Sequence, residues 1–143
     1  MKYTNRMLAL TLTLTMLPLL ATAQLTSSQK LVTQVPFEFV LGSKIVPAGE
    51  WTVQLASMGS KTLVIGNSKA EVAIFSNTSP VEARKPAGQC ALVFHKYGNS
   101  YFLSAVKIQG TQRSYGLPES KAEAEIRAQN VPATEEMLLA SLK

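Results

Sequence analysis

The chain has 143 residues with one cysteine, one histidine, no aspartate and a net charge of +5. That length suits one domain and not two. A hydrophobic content of 46% supplies a packed core and excludes a globally disordered chain. The charge is small and spread along the sequence, which excludes a nucleic-acid-binding surface.

Residues 1–23 have the layout of a cleaved secretory signal. Lys2 and Arg6 open it, Leu8 to Leu20 form an apolar run, and Ala21-Thr22-Ala23 is a small-residue cleavage site. Cleavage is predicted between Ala23 and Gln24, which removes Lys2 and Arg6 and lowers the net charge to +3. A membrane anchor needs ~20 apolar residues. This run is shorter, is diluted by Thr11, Thr13 and Thr15, and contains the helix-breaking Pro18. The mature chain is therefore expected in the periplasm or outside the cell, without a transmembrane span. Residues 24–33 are polar and lack a period, which predicts a flexible lead. Export implies an oxidising compartment, yet the lone Cys90 leaves no partner for an internal disulfide. Its apolar neighbours Ala91, Leu92 and Val93 point to burial.

A β domain is predicted over 34–117. Val35, Phe37 and Phe39 alternate with other residues, as do Trp51, Val53 and Leu55, which is the mark of half-buried strands. The turn Pro47-Ala48-Gly49 lies between them, so the two are expected to pair as a hairpin with one aromatic-rich face. Pro36 marks a strand start or an edge. A short strand is expected at 61–66, followed by a turn. Residues 71–76 are apolar on both sides, which predicts a central strand covered on both faces. Residues 77–89 carry Pro80, Pro86 and Gly88 and read as a long irregular loop. Gly98-Asn99, between 90–97 and 100–108, is the clearest hairpin signal in the chain. Residues 109–117 read as a second loop.

From residue 118 the period changes. Ser120 followed by Glu123 has the spacing of a capping box and predicts a surface helix over about 119–129. Pro132 ends it. Thr134 is placed to cap a last short helix with Met137, Leu138, Leu139 and Leu142 on its apolar side. The expected architecture is mainly β: an antiparallel sandwich or small barrel of about six strands, with one or two C-terminal helices in 118–143. A doubly wound α/β fold would need helices between the strands, and none is predicted before residue 118.

Several blocks carry a resemblance. They are Val35-Pro36-Phe37 with Pro47-Ala48-Gly49-Glu50-Trp51-Thr52-Val53, then Pro80-Val81-Glu82-Ala83-Arg84, Phe94-His95-Lys96-Tyr97-Gly98 with Tyr101-Phe102-Leu103, and Gly116-Leu117-Pro118 with Ser120 and Glu123. Over roughly residues 35–125 the chain resembles a group of small exported proteins common in acidobacterial soil bacteria. The resemblance implies a β fold and export; it implies no activity, cofactor or partner, and carries over no functional residue.

The chemistry open to the sequence is narrow. A zinc site takes three or four Cys, His or acidic ligands. Cys90 and His95 stand five apart on one predicted strand, on opposite faces and ~17 Å from each other. They cannot share a metal or form a Cys–His nucleophile pair. No metal and no cofactor are expected. No Gly-x-Ser-x-Gly elbow is present, so His95 reads as a half-buried or surface histidine. Glu38 and Glu50 are expected on the wet face of the first hairpin, where nothing would set their acidities apart. No catalytic residue is assigned. Phe37, Phe39, Trp51, Phe94 and Tyr101 are the candidate lining of an apolar ligand cavity, or else simply core. Glu82, Arg84 and Lys85 are the candidate loop contact for a partner or an anion. The expected role is that of a non-catalytic binding or envelope-associated module, its partner an envelope protein or a small apolar ligand. A hydrolase using His95 is the less favoured alternative.

Overall fold

The computed structural model describes residues 29–57, 59–67 and 69–143. The predicted signal, its cleavage site at Ala23 and Gln24, and residues 24–28 of the predicted lead lie outside the described residues. In chain order the elements are β1 (Lys30–Val35), β2 (Phe39–Leu41), β3 (Lys44–Val46), β4 (Gly49–Leu55), β5 (Thr62–Asn67), β6 (Val72–Asn77), β7 (Ser79–Glu82), β8 (Ala91–Tyr97), β9 (Ser100–Lys107), β10 (Arg113–Gly116), α1 (Lys121–Ala128), β11 (Thr134–Leu139) and β12 (Ser141–Leu142).

The strands form two sheets. The first is antiparallel, in the order β12-β1-β4-β5-β6. The second runs β11-β8-β9-β10-β7, also antiparallel, with β2 beside β9 in a parallel pairing at Val40 and Phe102 and β3 folded onto β2. Alternation turns one face of each sheet inward. Leu31, Val35, Trp51, Val53, Leu63 and Ile65 come from the first sheet; Phe39, Leu41, Leu92, Phe94, Leu103 and Val106 come from the second. Together they are the core of a mainly β, sandwich-like molecule. Burial of such side chains contributes about 1.5–3 kcal/mol each before the entropic cost of ordering them.

The Gly98-Asn99 hairpin joins β8 to β9, with Gly98 at φ +61, a conformation that suits glycine. Elsewhere the structure departs from expectation, each time for a tertiary reason. Residues 30–33, expected in the flexible lead, belong to β1, which pairs with β4 from Lys30–Gln54 to Val35–Gly49. The predicted hairpin between 35–40 and 50–56 does not form. Pro36 has no N–H to continue the ladder. The chain leaves the first sheet there, and Phe39 meets Trp51 from the opposite side of the core while Phe37 packs on Phe94 and Tyr101. The strand at 71–76 is not central: β6 is an edge, and Phe75 is 70% exposed. The stretches read as loops at 77–89 and 109–117 contain β7 and β10, which pair with each other. The second C-terminal helix is absent, and residues 134–142 are strand. β11 covers the open edge of β8 over six residue pairs, from Thr134–Lys96 to Leu139–Ala91. Pairing satisfies backbone groups along both strands, whereas an isolated helix that short is unstable. At Ala140 the chain crosses to the first sheet, donating its N–H to the Cys90 carbonyl (2.9 Å). β12 then pairs with β1. These additions raise the strand count from about six to twelve among the described residues.

Candidate functional site

The outer face of the second sheet carries the site. Cys90, Leu92 and Phe94 point into the core, so Val93, His95 and Tyr97 point outward. Facing them, β9 is irregular. Phe94 pairs with Leu103 and Val93 with Ala105, which leaves Ser104 as an extra residue in a bulge. Ser104 and Ala105 both turn to the outer face. At the same place the edge of β9 passes from β2 to β10.

Helix α1 closes one end. Ser120 caps it, its Oγ accepting the Glu123 N–H (3.1 Å), as the spacing predicted. The Glu123 carboxylate instead reaches down to the sheet. His95 Nδ1–H donates to Glu123 Oε1 (2.6 Å), and the Tyr97 hydroxyl donates to the same oxygen (3.4 Å). Glu123 is 5% exposed and is the buried residue of the helix. So α1 docks through a carboxylate rather than an apolar stripe. One turn to either side, Arg127 forks onto Glu119 at 2.7 and 3.0 Å. Burial, and next to it the Glu123 charge, hold the Tyr97 hydroxyl above the ordinary tyrosine range.

Between α1, β11 and β7 the sheet face forms a groove of about 510 Å³. Val93, Ala105 and Gly116 line it with small side chains, and the hydroxyls of Ser104 and Ser114 open into it. At Gly116 a Cβ would stand 3.2 Å from Val81 and 3.3 Å from the Ser79 carbonyl. Glycine thus lets β10 lie close to β7. A smaller compartment of about 240 Å³ adjoins through Ala83, Lys107 and Ser114.

The sequence-predicted residues divide sharply. Phe37, Phe39, Trp51, Phe94 and Tyr101 are brought together, but as packing. Phe37 stacks on Tyr101 with centroids 3.7 Å apart, and Phe39 meets Trp51 and Phe94 edge-on at 5.1 and 5.2 Å. None of the five lines the groove. In the loop, Glu82, Arg84 and Lys85 are exposed; Glu82 pairs with Arg113 at 3.6 Å and Lys85 lines the smaller compartment. Glu38 and Glu50 are exposed. Cys90 is buried on the face opposite His95, its Sγ accepting the Gln109 N–H at 3.3 Å. Among the described residues no three His, Cys, Asp or Glu side chains are grouped to hold a metal, and no helix is long and apolar enough to cross a membrane.

Sequence reasoning missed Glu123, Tyr97, Ser104 and Lys107. One signal was present. Glu119, Glu123 and Arg127 recur every four residues on a helix whose apolar stripe is thin, which leaves the charged stripe to face the protein.

No family model, curated protein or solved structure matches the chain.

Proposed function

We propose that the chain is an exported, non-catalytic binding module of the periplasm or cell exterior, and that it binds its ligand in the outer-face groove. The observation that carries this reading is Glu123. A helix has been laid over an otherwise open sheet face and fastened by a buried carboxylate, beside a concavity of ligand size with a few placed polar groups. The packed rings between the sheets argue against an apolar ligand in the interior.

The test is native mass spectrometry of the mature protein from its own host, beside the groove-filling variant Ser104→Trp. The wild type should carry or retain a ligand, and the folded variant should lose it. Equal retention by the two would remove the groove from the reading.

One observation favours a hydrolytic alternative. His95 is oriented by a buried carboxylate, as a general base is, and two serines line the same groove. His95→Ala would abolish any hydrolysis detected. No hydroxyl among the described residues hydrogen-bonds the His95 ring, which is why binding is placed first.

A further inference from the structure

We infer that the groove takes a short extended peptide with free ends, its carboxylate in the smaller compartment and its ammonium towards Glu135. The inference names the ligand class for the groove reading and rests on it.

The smaller compartment is lined by Lys85, Lys107 and Arg113 and by no carboxylate. Its walls are fixed by backbone bonds: Ala83 and Ala87 donate to the carbonyls of Gln112 and Thr111 at 2.8 and 2.9 Å, and Gly110 donates to Ala87 at 2.9 Å. Arg113 has Glu82 at 3.6 Å. Lys85 forms no ion pair among the described residues; Lys107 lines the compartment with its stem, and its ammonium turns the other way, to the Met137 sulfur of β11 at 3.6 Å. The free charge here is positive, and its carrier is the point-like Lys85 ammonium, which suits a monoanion.

The far end is acidic. Glu119, Glu123 and Glu135 line it. Glu119 is committed to Arg127 and Glu123 to His95 and Tyr97, while Glu135 is in no ion pair among the described residues. These carboxylates disfavour a polyanion and leave Glu135 to receive a cation. A ligand with opposite charges at its two ends satisfies both.

The sheet register sets its length. Glu135 lies opposite His95, and Ser114 lies opposite Lys107, which lies opposite Ala91. Three strand spacings across and four residues along give a diagonal of roughly 20 Å. An extended chain of about five residues covers roughly 17 Å of that diagonal and leaves a few ångströms for contacts at its two ends. Between the ends, the small side chains of Val93, Ala105 and Gly116 admit a backbone. Ser114 Oγ donates to the Val81 carbonyl (3.2 Å) and keeps lone pairs for a peptide N–H.

The test is an NMR titration of the mature chain with Gly/Ala peptides of three to seven residues, free, C-amidated or N-acetylated, and with inorganic phosphate. Shifts should fall on Ser104, Ser114 and Gly116, and affinity should peak near five residues. Amidation should weaken binding at least tenfold, and so should Lys85→Glu. Glu135→Lys should weaken the free peptide severalfold and leave the acetylated one unaffected. Equal binding of free and amidated peptides, or tighter binding of phosphate, would overturn the inference. Silence at every length would overturn the peptide assignment alone, provided Ser104→Trp still displaces the ligand carried from the host. Peptide binding undiminished by Ser104→Trp would overturn the groove reading with it.

Discussion

The fastening of α1 separates two kinds of substitution at one contact. His95→Ala leaves the Glu123 carboxylate buried with only the Tyr97 hydroxyl to solvate it, a loss of about 3 kcal/mol. Glu123→Gln keeps an oxygen acceptor in place, a loss nearer ~1 kcal/mol. The double variant His95→Leu/Glu123→Leu replaces the pair by apolar surface and should recover most of the first loss. Urea unfolding of the four proteins measures the differences. A ranking with Glu123→Gln below His95→Ala in stability would mean that the carboxylate is held by something other than the histidine. Tyr97 adds a pH dependence of known sign. Its hydroxyl is held above the ordinary range, so the fold prefers the neutral form. The contribution is full below the unfolded-chain value of about 10 and is lost as pH rises from there through the folded value. Alkaline titration followed by tyrosinate absorbance should show Tyr97 ionising last, and Tyr97→Phe should flatten the stability profile above pH ~10. The partner of Glu123 was not legible in the sequence. His95 and Glu123 are 28 positions apart, and a lone histidine next to Lys96 reads as a surface residue until a helix is laid over it.

At the scale of the elements, sequence and structure agree where the decision is local and part where it is tertiary. The alternation in β4, the Gly98-Asn99 turn and the Ser120 cap each depend on neighbouring residues, and each is where it was expected. The departure at Pro36 was half visible: a proline marks the end of a ladder but cannot say which sheet receives Phe39 next. The C-terminal stretch 134–142 was ambiguous in kind. Its apolar residues fit either period, and the open edge of β8 decided for strand. Helix α1 is the weakest element. It has eight residues, one of them buried, and an isolated helix of that length does not persist. Ser120→Ala removes the side-chain acceptor for the Glu123 N–H and should cost about 1 kcal/mol. Hydrogen exchange should show amides 121–128 opening well before those of β8 and β9, and earlier still in Ser120→Ala. Uniform protection across helix and sheet would mean that α1 is held by more than its cap and its buried glutamate.

At the scale of the molecule, the last strands connect the two sheets. β11 belongs to the second sheet and β12 to the first, and the chain between them is pinned from both sides. Ala140 donates to the Cys90 carbonyl at 2.9 Å, Thr33 Oγ1 donates to the Leu139 carbonyl at 2.8 Å, and Lys143 donates to the Lys30 carbonyl at 2.9 Å. Leu138 and Ala140 pack against the core, while Met137 and Leu139 face outward. A chain stopped at residue 133 would uncover the edges of β8 and β1 and the core beneath Leu138 together. Lost apolar burial alone is worth about 2–3 kcal/mol for a leucine, and each uncovered edge presents unpaired backbone to other copies. The truncated protein should therefore melt at least 10 °C lower and self-associate, as read by thermal unfolding and light scattering. The point substitution Leu138→Ala isolates the packing component: it should lower the melting temperature without association, because both edges stay paired. Thiol reactivity gives a third measure, since Cys90 lies under the same crossing. A thiol-specific reagent should be slow on the full chain, rapid on the truncated one and intermediate on Leu138→Ala. If the truncated chain instead kept its melting temperature and a protected Cys90, the two sheets would be held by their shared core alone and the C-terminal strands would be decoration upon it.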